Sequence, residues 1–145
     1  KVSTAISHKL ARDFQKANLE LKPEQWNVLQ RLTYHDGVSQ QELCEVMFKD
    51  RPGMVRLVNS MVEAGLVTRT LNRFDRRKNI IRITEKGKRM QEASIRIALQ
   101  TLRGALRGLS LNDIRTTQAV LMKVFENITE SLGTKPPTVS KIAYD

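Results

Sequence analysis

Residues 66–83 read LVTRTLNRFDRRKNIIRI, two apolar runs that enclose a cluster of charged residues. The runs at 66–71 and 80–83 are short and rich in aliphatic and β-branched residues, so they predict two strands joined as a hairpin. Between them, NRFDRRKN at 72–79 carries four cations and one carboxylate. Like charges repel each other on a turn, and the cluster therefore predicts an anionic partner at the hairpin tip.

The net charge of the chain is concentrated around this hairpin. The 145 residues have a formal net charge of +10 at pH 7. Residues 49–89 hold twelve Lys or Arg against four Asp or Glu, so +8 of that charge lies in one contiguous segment. A segment of this kind is typical of a surface that binds nucleic acid and differs from a uniformly solubilised exterior.

A short helix is predicted before the hairpin. The residues SQQE at 39–42 form a capping box, in which Ser39 caps the helix and the Glu42 carboxylate reaches back to the cap. We expect this helix, the third of the chain, to bury Leu43, Cys44 and Met47. A turn follows it directly.

The fourth helix is predicted to present a polar face. Asp50 is its N-cap, Pro52 lies in its first turn, and Gly65 suits the position after its end. Five apolar residues recur at helical spacing and are expected to face the core: Met54, Leu57, Val58, Met61 and Val62. The opposite side carries Arg56, Asn59, Ser60 and Glu63. Two short helices in this arrangement predict a helix-turn-helix, with the hairpin as its wing.

Helices are also predicted at both ends of the chain. Residues 3–19 form one amphipathic stripe, and a second helix begins at Pro23. Thr84 and Ser110 are N-caps of two long helices. The first of these has two apolar rows, and a helix with two apolar faces predicts a second chain, hence a homodimer. The rows are Ile95, Leu99, Leu102, Leu106 and Leu109, and Met90, Ala93, Ile97 and Ala105.

The fold class that follows is mainly α with a small β-hairpin wing: a winged helix-turn-helix with flanking dimerisation helices. We assign residues 21–87 to the winged domain, and residues 1–20 and 88–145 to a helical dimerisation region. The long helices are expected to end near Gly108 and Leu132. The tail at 133–145 contains Pro136 and Pro137, which preclude a helix there.

Several classes of function find no support in the sequence. No apolar run approaches the roughly 18 residues of a membrane span, and no leader is visible, so we expect a cytoplasmic protein without membrane contact. Cys44 is the single cysteine, interpreted as an inert core thiol, and His8 and His35 are isolated. No catalytic motif is present either. We therefore predict no enzyme, no catalytic residue, no metal and no cofactor.

The sequence resembles the MarR (multiple antibiotic resistance regulator) family of winged helix-turn-helix transcriptional regulators. The resemblance rests on LKPEQWNVL at 21–29, VSQQEL at 38–43, DRPGMVRLVNSMVEAGLVTR at 50–69 and DRRKNIIRITEKG at 75–87. The Asp-x-Arg of the family's wing falls on Asp75 and Arg77. The family's Leu-Thr-x-x-Gly appears as ITEKG, with Ile83 in place of Leu.

This resemblance implies a double-stranded DNA partner with an inverted-repeat operator. Residues 52–63 would lie in the major groove and the wing in the adjacent minor groove. Arg56, Asn59 and Ser60 are the predicted base readers, and Arg77 the minor-groove finger, held by Asp75 in a forked pair. Backbone N–H groups at Ser39 and Gln40 would bind a phosphate. The remaining predicted DNA contacts are Arg51, Arg73, Arg76 and Lys78.

The chain departs from the family pattern in three places. Gly53 and Val55 stand where Thr or Ser is usual, so a Val methyl contact to thymine replaces hydroxyl contacts. Asn72 and Arg73 replace a common Asp-Pro, which makes this wing more basic. The peroxide-sensing cysteine of some members is absent from the first helix, and that mechanism is not carried over.

The resulting prediction is a repressor released by a small-molecule effector. Family members often bind small aromatic ligands, but no motif of this chain identifies the pocket residues. Two alternatives remain: a non-specific architectural or RNA-binding protein that uses the same basic wing, and a scaffold for an acidic protein. A comparison of operator-like and random duplexes at fixed salt separates the first alternative from sequence-specific binding.

Overall fold

The computed structural model of the chain describes residues 1–133, in six helices and three strands. The predicted tail beyond Gly133 lies outside the described residues. The elements in chain order are α1 (Val2–Lys16), α2 (Pro23–Tyr34), β1 (Val38–Ser39), α3 (Gln40–Val46), α4 (Arg51–Glu63), β2 (Val67–Leu71), β3 (Asn79–Ile83), α5 (Glu85–Ala105) and α6 (Leu111–Ser131). The predicted fold class, mainly α with a hairpin wing, is confirmed.

The chain divides into two compact units, residues 1–105 and 106–145. The first unit contains α1 to α5 and the sheet. Its core is almost wholly aliphatic, with Phe14 as the aromatic exception and Trp26 tilted against it at a ring-centroid distance of 6.4 Å. The fully buried residues of this core include Leu29, Leu32, Leu43, Met54, Val58, Met61, Leu66 and Ile81. This shared core fixes α4 relative to the sheet.

The sheet is antiparallel, in the order β1-β3-β2. The hairpin pairs Val67 with Ile83 and Leu71 with Asn79, one residue longer at its second strand than the sequence predicted. β1 was not predicted, because two residues are too few for an alternating pattern. It pairs Val38 with Ile81, which is buried at the centre of β3. The base of the wing is therefore anchored on both sides.

The predicted helix caps are present in the structure. Ser39 Oγ accepts the Glu42 N–H at 3.2 Å, and a Glu42 carboxylate oxygen accepts the Ser39 N–H at 2.7 Å. Hydrogen bonds to the Glu42 carboxylate from the Ser39 hydroxyl, and then from the Ser39 N–H, lower the pKa of Glu42. At the start of α4, Asp50 accepts the Gly53 N–H at 3.3 Å. Gly65 follows α4 with a φ of +70°, as expected after a helix end.

Three details of the sequence prediction are wrong. Val62 was assigned to the core, but it is 38% exposed, because α4 turns it past the edge of the apolar stripe. Met47 caps α3 at its C-terminal end and is only half-buried. The first and fifth helices end at Lys16 and Ala105, several residues earlier than expected. Helix ends lack the periodic signal that identifies helix interiors.

The start of α5 is joined closely to the corner between α4 and β2. The Thr84 hydroxyl donates to the Gly65 carbonyl at 2.7 Å, and the Lys86 ammonium donates to the Ala64 carbonyl at 2.6 Å. Gly87 is buried here, and a Cβ on it would collide with the carbonyl oxygen of Leu66. Only glycine permits this close approach of helix and strand.

In the second unit, the described residues are 106–133. α6 begins at the predicted N-cap, where Ser110 Oγ accepts the Asp113 N–H at 3.1 Å. Large apolar side chains along this helix are exposed: Leu111, Val120, Leu121, Val124, Ile128 and Leu132. None of the helices within residues 1–133 is both long and apolar enough to cross a membrane.

Candidate nucleic-acid interface

The outer face of α4 exposes a short series of side chains. Val55 is 39% exposed, and Arg51 and Arg56 are also exposed. Asp50, the N-cap, and Pro52 fix the first turn, so these side chains are presented from a regular helix. A helix of this kind can place its N-terminal residues against base edges in the major groove.

Asn59 on the same face is held by a residue that the sequence analysis missed. Arg69 Nη1, on β2, donates to Asn59 Oδ1 at 2.7 Å. The Asn59 side-chain amide is thereby fixed in orientation, with its NH₂ group available as a donor. The sequence indicates Arg69 only as one cation of the basic segment. The contact between Arg69 and Asn59 depends on tertiary structure and has no local sequence pattern.

Ser60 was predicted to read bases, but its hydroxyl faces the protein. It donates to the Leu57 carbonyl at 2.8 Å and accepts from the Gln25 side chain on α2 at 3.2 Å. Gln25 is itself buried. Ser60 therefore links α4 to α2, and its hydroxyl is not directed outward for a base contact.

The N-terminus of α3 also differs from the prediction. The Ser39 N–H is already donated to the Glu42 carboxylate, so it is not free for a phosphate. The side-chain oxygen of Gln40 is buried without a hydrogen-bond partner. The Ser39 N–H is therefore occupied, whereas the phosphate contact of the Gln40 N–H stays a prediction.

The wing tip is held by hydrogen bonds of its own backbone. The Asn72 N–H donates to the Lys78 carbonyl at 2.8 Å, and the Lys78 N–H donates to the Asp75 carbonyl at 2.9 Å. Asn72 Oδ1 accepts the N–H groups of Phe74 and Asp75, at 2.8 and 3.2 Å. Asn72, where the family commonly has Asp, thus organises the turn through local side-chain to backbone bonds.

Asp75 and Arg77 are adjacent as predicted, but they do not form a forked pair. Arg77 Nε lies 3.5 Å from Asp75 Oδ1, and the same oxygen accepts the Arg77 N–H at 3.0 Å. The Arg77 side chain is 96% exposed. A forked pair would need both carboxylate oxygens, and here the backbone N–H competes for one of them. The guanidinium is left extended into solvent.

The basic segment contains paired and unpaired cations. Lys49 pairs with Glu24 at 3.0 Å, and Arg82 approaches Asp36 at 3.8 Å. Asp36 also accepts the Ile83 N–H at 2.8 Å, which secures β3. Within residues 1–133, the cations that have no acidic partner within 4.0 Å include Arg51, Arg56, Arg73, Arg76 and Lys78. These five unpaired cations lie on α4 and the wing tip, and the basic segment also holds Arg69, Lys86 and Arg89 without an acidic partner.

Phe74, between Arg73 and Asp75, is fully exposed at the wing tip. Phe74 was not among the site residues predicted from the sequence, which at this turn were chosen by charge. A composition count gives no signal for it, because a single Phe in a turn has no periodic pattern.

The buried cysteine and the acidic and histidine side chains of residues 1–133 bear on two further kinds of site, a reactive thiol and a metal site. Cys44 is buried, and burial raises the pKa of its thiol, which fits the interpretation as an inert core residue. Across residues 1–133, no group of His, Cys, Asp or Glu side chains is arranged to hold a metal ion.

A cavity of about 390 Å³ lies between α1 and α5. Lys9 and Lys16 contribute basic groups to it, and Ile97 an apolar surface. Asp13, also in the lining, accepts the Thr101 hydroxyl at 2.6 Å and pairs with Lys9. These hydrogen bonds, with Lys9 the stronger, lower the pKa of Asp13.

Comparisons with known proteins agree with the geometry of the winged region. A family model described as "MarR family" matches residues 19–78. The transcriptional activatory protein BadR of Rhodopseudomonas palustris is 27% identical over 112 residues, which are 74% of this chain. The chain spans 64% of the length of that relative, less than two thirds.

Two solved structures have a similar fold. A mutant of MarR from E. coli, complexed with operator DNA, superposes with a TM-score of 0.78 at 20% identity, over 85% of this chain and 87% of that one. CouR from Rhodococcus jostii, bound to p-coumaroyl-CoA, superposes with a TM-score of 0.73 at 22% identity, over 85% of each chain. The resemblance predicted from the sequence is confirmed.

Proposed function

We propose that this chain, of which residues 19–78 match the MarR family model, is a MarR-family transcriptional regulator that binds double-stranded DNA sequence-specifically. In this proposal α4 enters the major groove and the wing lies along the adjacent minor groove. The fold resembles that of the E. coli protein solved with operator DNA, which supports this docking by analogy.

One observation carries the proposal. Five cations without an acidic partner are exposed on α4 and on the wing tip, two surfaces of the same compact unit: Arg51, Arg56, Arg73, Arg76 and Lys78. Lys49 and Arg82, elsewhere in the basic segment, are paired with carboxylates. A phosphate backbone would neutralise charges that the protein itself leaves unpaired.

The proposed contacts divide by chemistry. Arg56 and Asn59 would read base edges, and the Val55 methyl groups would contact thymine. Arg77 would enter the minor groove, where its extended guanidinium needs no rearrangement. The phosphate contacts would come from Arg51, Arg73, Arg76 and Lys78.

We further propose that the protein acts as a homodimer. The apolar residues exposed along α6 would be covered by a second copy, since a monomer would leave this face in water. The division into a dimerisation region, 1–20 and 88–145, and a winged domain, 21–87, belongs to this proposal. A monomeric mass by light scattering at micromolar concentration would contradict it.

The effector is proposed to be a small anionic or aromatic molecule bound in the cavity between α1 and α5. Lys16 suits an acidic group and Ile97 an apolar one, whereas Lys9 is already paired with Asp13. CouR, of similar fold, is bound to p-coumaroyl-CoA, which combines both features. We propose repression released by this ligand; the relative BadR is named as an activator, so the sign of regulation is tested separately by a reporter assay.

A binding measurement tests the central proposal. Duplexes are selected from a random pool by the purified protein, and binding of a selected duplex is compared with that of random duplex at one salt concentration. We expect an inverted repeat with half-sites about 10 base pairs apart and a preference of at least about a thousandfold. A ratio near one would favour the architectural alternative.

A further inference from the structure

Phe74 has no role in the contacts proposed so far, although its ring occupies the most prominent position of the wing. Its side chain is fully exposed, and two of the unpaired cations, Arg73 and Arg76, lie within two residues of it. Leu71, at the end of β2, is the other exposed apolar residue of the hairpin. An exposed aromatic ring among cations suggests a partner that is both anionic and able to accept an apolar group.

The backbone holds this ring at a defined place. The Phe74 N–H is donated to Asn72 Oδ1 at 2.8 Å, and the loop is closed by the bond between Asn72 N–H and the Lys78 carbonyl. Each hairpin strand has five residues, so the tip stands about 16 Å from its base. The ring is therefore presented by an organised turn at the end of a rigid arm.

We propose that Phe74 inserts between adjacent base pairs from the minor groove and kinks the DNA at that step. The inference rests on the proposed function, and it adds a readout that hydrogen bonds to bases do not provide. Apolar wedges of this size partly unstack a base step, and the cations beside the ring would hold the flanking phosphates. Pyrimidine–purine steps, TA and CA, unstack most easily, so the wing would select them at positions it does not hydrogen-bond.

A membrane surface is the competing partner, since it too is anionic and apolar. Binding at a bilayer increases with the apolar area that is buried, and a single ring with Leu71 offers little. A base step, in contrast, accommodates one ring. The observed size of the apolar tip therefore favours DNA.

The experiment uses the full chain and three variants in parallel: Phe74→Ala, Phe74→Leu and Arg76→Ala. Each selects duplexes from the same random pool. The wild type and Phe74→Leu, which keeps an apolar wedge, are expected to enrich TA or CA steps outside the half-sites. Phe74→Ala is expected to recover the same half-sites without that enrichment. The side chain at 74 has no protein contact to lose, so folding is unaffected.

Affinity and stacking are then measured on matched duplexes. Replacing the selected TA step by AA should weaken wild-type binding about tenfold and Phe74→Ala binding less than twofold, since stacking on one aromatic ring is worth about that factor. The fluorescence of a 2-aminopurine placed at the step should increase when the wild type binds and should not increase with Phe74→Ala. Arg76→Ala, the matched control, should lower the salt slope and keep the fluorescence change.

The outcomes separate the inference from the proposed function. If Phe74→Ala keeps the step preference and the fluorescence change, the wedge is wrong while specific DNA binding stands. If the ring is instead required for binding to vesicles of phosphatidylcholine and phosphatidylglycerol, with no step preference on DNA, the partner is a membrane and the inference is overturned. If the wild type selects no sequence at all, both proposals fail.

Discussion

The outer face of α4 and the tip of the wing are both polar and exposed, but the protein holds their side chains differently. On α4, the Asn59 amide is fixed by Arg69, and Ser60 is turned inward to Gln25. On the wing, hydrogen bonds fix the backbone, while Arg73, Arg76 and Lys78 extend without acidic partners. On α4 one outward side chain, the Asn59 amide, is thus fixed by a partner, whereas on the wing only the main chain is fixed.

This difference indicates a division of labour in binding. A fixed amide loses little entropy when it meets a base edge, which favours discrimination between sequences. Free cations can follow phosphates in any sequence, which favours affinity and salt dependence. We therefore expect substitutions on α4 to reduce sequence preference and substitutions on the wing to reduce affinity for any duplex.

Arg56→Ala should cause the largest loss of specific binding. Removing a base contact of this type costs about 1 to 3 kcal/mol in each half-site and relaxes the preference at one position. Binding to random duplex should change little. Anisotropy titrations measure the affinity for selected and for random duplexes. An equal loss of affinity for both kinds of duplex would mean that Arg56 contacts a phosphate, as the wing cations are proposed to do.

Arg76→Ala should weaken binding to selected and random duplexes alike. Each wing would release one fewer counterion, so the slope of log K against log salt should fall by about 1 per wing. At physiological salt this corresponds to about a fivefold loss per wing. Titrations over a salt series measure the slope. An unchanged slope would mean that the wing tip does not touch the DNA backbone.

Arg69→Ala tests whether the fixed side chain on α4 matters. The loss of its hydrogen bond to Asn59 should cost about 0.5 to 1 kcal/mol of specific binding, because the amide must then be ordered on the DNA. Asn59→Ala and the double variant complete a thermodynamic cycle. Strict additivity in that cycle would show that Arg69 acts alone, by contacting DNA itself.

Asp75→Asn should have the smallest effect. The Asn oxygen can still accept the Arg77 N–H, so the turn is preserved, and the exposed contact with Arg77 Nε at 3.5 Å contributes little. We expect less than about 0.5 kcal/mol in binding or stability. A loss above about 1 kcal/mol by thermal unfolding or titration would mean that the carboxylate positions Arg77 as first predicted from the sequence.

The sequence predicted local features of the fold well and side-chain partners poorly. The caps at Ser39, Asp50 and Ser110 could be identified because the residues that form them are neighbours in the chain. The contacts of Arg69 and Ser60 join residues 10 and 35 positions apart, and no local pattern reports them. The forked pair at Asp75 failed for a local reason, since the backbone N–H of Arg77 occupied the same oxygen.

The close contact at Gly87 has a mechanical consequence. A side chain there would have forced α5 away from Leu66; without one, the first turn of α5 and the corner between α4 and β2 form a single rigid joint. α5 extends about 30 Å from that joint. A rotation of α5 that kept these contacts would therefore also move the α4–β2 corner. The absence of a Cβ at one residue is what allows helix and corner to be in direct contact.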